Sequence, residues 1–348
     1  MTQTPPLSTG ELMDKRPRAR LSFQLIQTAS VLLLTVVLCV VSSFKSEGFF
    51  SWYNLVENVF TNAAALGIIA CGMTFVMISG GFDLSVASTT VVCTVVTVLA
   101  LQALAPYGAW VAIPLALLAA MVVGTLLGSV NGALIAYVGV NPFVVTLSTM
   151  LIFRGIALII THGGQSIQVP LEFQDAFGKI YWGEAFSITA EYPILVPMVM
   201  FAVVFLVGVY VLRMTRFGHY VYAVGGNENA SWLAGVSTHR VKATCYAICG
   251  FTCALAAMIF ASQSNTAQAG ENRGLEMQVI ASVIVGGTPL GGGSGSLLRT
   301  LNGLLLLAVI ENMLGQFGIR EEYRNIVRGV IIIVVVTVDL VVRRRSGK

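Results

Sequence analysis

Charge is what this sequence has least of. Asp, Glu, Lys and Arg make up 10% of the 348 residues, against roughly 25% in a soluble globular domain. Too few charges remain to cover a water-facing surface, so lipid or neighbouring helices must cover the rest. Histidine is scarcer: His162, His219 and His239 sit in or near loops and share no metal-ligand spacing. The chain contains no G-x-x-x-x-G-K-[ST] phosphate loop and no H-E-x-x-H. The usual nucleotide site and the zinc-protease site are therefore both missing. The glycine run 286–295 offers no lysine to a phosphate. An enzyme has almost no residues to stand on here, and neither a metal nor a nucleic-acid partner is expected. Six cysteines, Cys39, Cys71, Cys93, Cys245, Cys249 and Cys253, all fall inside apolar runs, unlike a secreted disulfide framework. Cys245, Cys249 and Cys253 repeat at helical spacing. No histidine or carboxylate joins that stripe, which reads as small packing residues on one helix face.

What the sequence has is apolar length. Hydrophobic residues make up 56% of it and the mean hydropathy is +0.83. A helix needs about 20 apolar residues to cross the hydrocarbon layer. Candidate spans run at 24–44, 61–79, 85–104, 109–130, 141–161, 193–213, 241–262, 275–287, 297–316 and 325–342. The expected fold is all-α: a polytopic membrane helix bundle of about ten spans. It divides into a tail (1–22), a membrane domain (23–342) and a short basic tail (343–348). The first apolar run has no small-residue cleavage site after it and reads as an uncleaved span.

Basic residues orient the bundle. They cluster in the N-terminal tail (Lys15, Arg16, Arg18, Arg20), in the loop after Leu212 (Arg213, Arg216, Arg240, Lys242) and at the C-terminus (Arg343, Arg344, Arg345, Lys348). The positive-inside rule places all three in the cytoplasm. Loop 162–191 is acidic, with Glu172, Asp175, Glu184 and Glu191 against Lys179, and is expected outside. An even span count satisfies both. Arg320 and Arg324 then fall outside, beside Glu321 and Glu322.

Two spans look interrupted by glycine. The first ends in Ser79-Gly80-Gly81-Phe82-Asp83-Leu84-Ser85; the second is the short run 275–287, followed by Gly286 to Ser296. Short, glycine-broken segments in the two halves of a transporter point to a central pathway. Loop 214–240 is long and mixes polar with apolar residues. Asn227 can cap a helix whose first turn holds Glu228. Ala230, Leu233 and Ala234 form a small apolar face, and Gly235 ends the helix. Such a helix either packs back on the bundle or docks into a cytoplasmic partner.

This loop resembles the ATPase-contacting loop of the ribose-type ABC permeases, a branch of the family that includes branched-chain amino acid permeases. Other elements match in chain order. Gly80-Gly81-Phe82-Asp83-Leu84-Ser85 is similar to the family's glycine-glycine-aliphatic-aspartate-leucine-serine element. Asn141-Pro142-Phe143-Val144-Val145-Thr146-Leu147 is similar to its proline-phenylalanine-threonine-leucine element, with Arg154-Gly155 following. Glu276, Ile280, Ala281 and Val285-Gly286-Gly287-Thr288 resemble its last signature. The resemblance covers about residues 50–342. Met277 stands where aspartate is common in the family, Arg299 where glycine is, and Phe82 where isoleucine is.

The resemblance implies an importer permease for a small hydrophilic solute of the monosaccharide type, working by alternating access. A separate ATPase, holding ATP and magnesium, would dock at Gly225, Gly226, Asn227, Glu228, Ala230, Leu233, Ala234 and Gly235. A periplasmic binding protein would deliver the solute. A second permease copy or paralogue would complete a dimer in the bacterial inner membrane, and the chain itself would hold no cofactor. The alternative is an ion-coupled secondary transporter or facilitator, which usually carries acids near the bilayer midplane.

Ionisable residues near membrane depth are Asp83, Arg154, Glu276, Glu311 and Asp339, with Asp339 expected to pair with Arg343. Candidates for the translocation path are Asn62, Asp83, Asn141, Thr146, Glu276 and Asn302. Asp83 either caps a broken helix end or touches solute. Asn62 and Asn302 either line a polar path or make interhelical hydrogen bonds.

Overall fold

The structure, a computed structural model, describes residues 16–46, 48–187, 193–320, 322–331, 333 and 337. Residues 1–15 of the expected tail, the expected Asp339–Arg343 pair and the basic tail 343–348 lie outside the described residues, as do Glu191 and Glu321 of the charge pattern.

The first span is α1 (Arg16–Lys45), which opens ahead of the run 24–44 because its first turns are polar and hydropathy does not register them. A π-helical stretch, Asn54–Thr61, continues without a break into α2 (Asn62–Ile78). Then come α3 (Val86–Ala103), α4 (Ala109–Ala136) and α5 (Pro142–Ile160). The acidic segment 162–191 is not a plain loop: it carries β1 (Ile167–Gln168), α6 (Gln174–Trp182) and β2 (Glu184–Ser187), followed by β3 (Pro193–Leu195). The chain re-enters the bundle as α7 (Val196–Met214). Two short helices follow, α8 (Arg216–Gly226) and α9 (Glu228–Leu233). Beyond them lie α10 (Thr238–Ser264), β4 (Thr266–Ala267), α11 (Leu275–Val285) and α12 (Leu297–Gln316).

Eight helical segments among the described residues are long and apolar enough to cross a membrane. The ninth expected span is only the 11-residue α11, because a glycine run takes over where its second half would lie. The tenth is helical over 322–331, and the rest of it falls largely beyond the described residues. Among the described residues the few strands form two small antiparallel pairs, β1 with β4 and β2 with β3.

The centre of the bundle is α2. From Ala63 to Ile78 it is buried on nearly every face, the expected state of a helix that is apolar all round. α10 packs beside it: a Cβ on Gly72 would lie 2.8 Å from the Cys249 backbone. On its other side α10 crosses α4 through glycine. Gly124, Gly128 and Gly132 repeat every four residues, and a Cβ on Gly128 would lie 3.1 Å from the backbone of Gly250. Small residues at this spacing let two helix backbones approach closely. Cys245, Cys249 and Cys253 are free thiols buried in this core.

The two ends of the bundle differ. One gathers the α2–α3 turn, the α4–α5 turn, α8, α9 and the glycine run 286–296. Gly293 N–H donates to the Ile78 carbonyl there (2.8 Å). The other gathers α6 and the segment 265–274. Gln102 donates to the Gln168 carbonyl (2.8 Å), Ser262 to the Phe177 carbonyl (2.7 Å) and Arg154 to the carbonyls of Ala269 (2.6 Å) and Glu271 (2.8 Å) at that end.

Candidate functional site

At the first end, α9 is closed at both termini by its own sequence. The Asn227 side chain accepts from Ala230 N–H (2.9 Å), capping the N-terminus. Gly235, at φ +83°, ends the helix: Gly235 N–H donates to the Trp232 carbonyl (2.9 Å) and Val236 N–H to the Ser231 carbonyl (3.0 Å). This paired closure needs a left-handed residue, which glycine supplies without strain. One face of α9 is tied down, with Ser231 buried and Glu228 paired to Lys242 of α10 (2.5 Å). The other face is bare. Trp232 is 63% exposed and Leu233 78%; Ala230 and Ala234 are exposed with them. α9 therefore does not bury its apolar face on its own bundle.

α8 roots this helix in the bundle through glycine. Thr215 caps α8 by accepting from Gly218 N–H (3.2 Å). At its far end, a Cβ on Gly225 would overlap the Ile78 carbonyl oxygen and lie 2.7 Å from Gly293 N. A Cβ on Gly293 would lie 2.7 Å from the Gly226 Cα, and one on Gly292 2.6 Å from the Gly80 Cα. Gly80, Gly292 and Gly293 all have positive φ. Three segments thus meet backbone to backbone: the end of α8, the first glycine-broken turn and the second glycine run. Tyr222 fastens the same corner by donating to the Gly295 carbonyl (3.0 Å). Burial raises its phenol pKa, against the opposing pull of Arg299 and Arg213. Arg299, one of the departures from the family pattern, donates from Nε to Ser296 at the start of α12 (3.3 Å).

Asp83 lies in the first broken turn, 2% exposed. Its Oδ1 accepts from the backbone N–H (2.8 Å) and the hydroxyl (2.6 Å) of Ser85, and Asn131 of α4 donates to that hydroxyl (2.8 Å). A carboxylate just before a helix start satisfies orphan N–H groups and suits the positive end of the dipole. These bonds go to Ser85, the N-cap residue of α3, which is the kind of contact the helix-end reading expects.

Near the second end, polar side chains form a continuous chain across four helices. Asn54 and Asn312 of α12 exchange two hydrogen bonds (3.2 and 2.9 Å). Asn58 donates to Asn54 Oδ1 (3.1 Å), and Asn62 donates to the Asn58 carbonyl (3.2 Å). Tyr181 of α6 donates to Asn62 Oδ1 (2.6 Å), and Gln263 of α10 donates to Tyr181 (3.1 Å). Burial, with Glu57 adding to it, pushes the Tyr181 phenol up to about 12, so it remains a donor. Beside this chain opens a cavity of about 160 Å³, bordered by Asn58, Asn62, Phe260, Gln278, Glu311 and Arg328 among others.

The six path candidates are not brought to one wall. Asn62 lines the cavity. Asn141 is the N-cap of α5, accepting from Phe143 N–H (2.9 Å). Thr146 bonds the Pro142 carbonyl of its own helix (2.8 Å). Glu276, in the first turn of α11, lies with Arg154 and Arg273 on a separate recess. Asn302 is half-buried on α12. Asn58, Gln278 and Asn312 went unnoticed in the sequence. The Asn54, Asn58, Asn62 repeat every four residues was the available signal.

A bundle of apolar spans, two of them broken by glycine, with a bare capped helix at one end and a polar cavity near the other, defines a membrane permease. A family model described as branched-chain amino acid transport system / permease component matches residues 55–336, and the chain belongs to that family. It is similar to the ribose import permease protein RbsC of Escherichia coli strain K12, 35% identical over 315 residues that cover 90% of this chain and 94% of the relative. RbsC of Bacillus subtilis strain 168 is 31% identical over 356 aligned residues, covering 98% of this chain and 100% of the relative. The D-allose transport system permease protein AlsC of E. coli K12 is 28% identical over 313 residues, covering 90% and 91%. No solved structure matches the chain. The chain is a multi-pass membrane transport subunit and not an enzyme.

Proposed function

We propose that this chain is the permease of an ABC importer for a monosaccharide, embedded in the bacterial inner membrane with both termini in the cytoplasm. Relatives named for ribose and allose import support a sugar as cargo, although the family's own description names branched-chain amino acids. The observation that carries the coupling half is α9: a capped, rooted helix with Trp232 and Leu233 bare. A helix this short does not hold its shape in water unaided, and its exposed apolar face suits a groove on a partner. That partner is a separate ATPase, which binds ATP and magnesium and docks on Gly225 to Gly235. A periplasmic binding protein delivers the sugar at the opposite end. Exposed apolar side chains on α4, α5 and α7, such as Leu126, Ile159 and Leu206, face lipid or a second permease. Arg213, Arg216, Arg240 and Lys242 flank α8 and α9, which supports a cytoplasmic placement. Ion-coupled transport finds no support in the relatives. Among the described residues it also lacks an unpaired acid in the polar cavity, since Glu311 there is bound by Arg328 (2.6 Å).

Proteoliposomes holding the permease, its ATPase and the sugar-loaded binding protein test this reading. Uptake of labelled ribose or allose should require ATP hydrolysis. Uptake driven by a proton or sodium gradient with the ATPase omitted would refute it.

A further inference from the structure

The cavity near the second end has the chemistry of a sugar site. Its inner surface is apolar, with Ala63, Leu66, Phe260 and Leu275 contributing. Its polar groups are the carboxamides of Asn58, Asn62 and Gln278 and the Glu311–Arg328 ion pair, and some of the carboxamide capacity is unused. Asn58 spends its amide nitrogen on Asn54, and its Oδ1 has no protein partner among the described residues. The Gln278 carboxamide has none either. A carboxamide both donates and accepts, which matches a hydroxyl and matches an isolated charge poorly. Among the described residues the one acid on the wall, Glu311, is held by Arg328 through Nε (2.8 Å) and Nη2 (2.6 Å), with Arg324 at 3.5 Å. Among those residues a cation finds no unpaired carboxylate there. The volume of about 160 Å³ lies below the range of about 300–1,000 Å³ typical of drug-sized ligands, and fits a small solute.

Two features of the wall and its supports bear on this. Asn54, Asn58 and Asn62 belong to a π-helical stretch and its junction with α2, a distortion that concentrates at functional sites. The hydrogen-bonded chain from Asn312 through Asn62 and Tyr181 to Gln263 fixes the orientation of the Asn58 and Asn62 amides before any ligand arrives. Preorganised polar groups beside apolar lining such as Leu66 and Phe260 suit a polyol, which carries a hydroxyl edge and a C–H face.

We propose that this cavity is a transit subsite for a neutral polyhydroxylated solute, with Asn58, Asn62 and Gln278 as its hydroxyl-binding groups. The assignment rests on the importer reading and deepens it. Two measurements separate them. In the proteoliposomes above, Gln278→Leu and Asn58→Leu should each slow ribose uptake roughly two- to ten-fold at saturating loaded binding protein, the worth of one hydrogen bond. Gln278→Asn, which keeps the carboxamide, should recover part of the loss. Separately, the purified permease–ATPase complex should be thermally stabilised by millimolar ribose, allose or ribitol, and Gln278→Leu should abolish that shift. Normal uptake in both leucine variants overturns the subsite and leaves the importer reading standing. Gln278-dependent stabilisation without ATP-driven uptake by the unaltered complex overturns the importer reading and leaves the subsite. Absence of stabilisation by all three polyols overturns the subsite.

Discussion

Replacing Gly225 with alanine adds one methyl group at the place where three backbones touch. The new Cβ would overlap the Ile78 carbonyl oxygen and sit 2.7 Å from Gly293 N, below the 3.0 Å that real Cβ contacts essentially never breach. Both obstacles are main chain, so no side chain can rotate away. Relief requires α8 to part from the Ile78 turn and the glycine run together. The hydrogen bond from Gly293 N–H to the Ile78 carbonyl, now 2.8 Å, spans that seam. Leaving such a pair buried and unmet costs about 1–3 kcal/mol, and overpacking adds about 1–3 kcal/mol. The total is roughly 2–6 kcal/mol. Gly226, the next residue, is the internal control, because a Cβ there meets nothing within 4 Å. Gly225→Ala should lower the melting temperature of the detergent-solubilised permease and leave ATP hydrolysis uncoupled from uptake. Gly226→Ala should leave the melting temperature unchanged; it is a control for packing alone, since Gly226 lies in the segment proposed as the ATPase docking site. If the two variants melt alike, the junction is not close-packed and the reasoning fails.

Three further outcomes follow from the same geometry. Ala230→Glu puts a charge on the bare face of α9: membrane insertion should be normal, while transport, substrate-stimulated ATPase activity and co-purification with the ATPase are lost. Co-purification and transport at the normal level would mean that α9 does not couple. Asp83→Asn keeps an acceptor for Ser85 and should retain part of the uptake, whereas Asp83→Ala removes both of its short bonds to Ser85 and should cost about 1–3 kcal/mol of stability; equal wild-type uptake in both would remove Asp83 from consideration. In a cysteine-free background, a cysteine at 165 should react with an impermeant thiol reagent from outside the cell and one at 220 only after permeabilisation. Labelling at 220 in intact cells would invert the topology.

The spans were legible because an apolar run of sufficient length has few other uses, and the two broken segments because glycine interrupts such a run visibly. The beginning of the second span was not. Hydropathy opens it at 61, but the helical chain already starts at Asn54, and the residues that hid it are the polar Asn54, Glu57 and Asn58. Of these, Asn58 borders the cavity and donates to Asn54, so part of the pattern that obscured the helix also marks the site. α8 stayed hidden for a related reason: Gly218, Gly225 and Gly226 read as loop, yet two of them are required by main-chain contacts, Gly218 against the α7 end and Gly225 against Ile78. At the path candidates Asn141 and Thr146, each a polar residue in an apolar run, the side chain bonds the backbone of its own helix, a local contact that periodicity alone cannot reveal.

The junction and the cavity are joined by the same two elements. α2 touches the end of α8 through Ile78 and reaches the cavity through Asn62 and Ala63. The segment from α11 into the glycine run touches α8 through Gly293 and reaches the cavity through Leu275 and Gln278. A helix rises about 1.5 Å per residue, so α2 alone carries a displacement over roughly 25 Å, from one end of the bundle toward the other. Contacts made by main chain transmit such a displacement without loss to side-chain rotation, which is a physical reason for glycine at all of these positions. A partner that binds α9 can bias the bundle only through interactions that differ between its states. The seam among Gly80, Gly225, Gly292 and Gly293 is where such a difference would enter. The cavity wall formed by Asn62 and Gln278, on the far ends of the two elements that meet there, is where it would be felt by the solute.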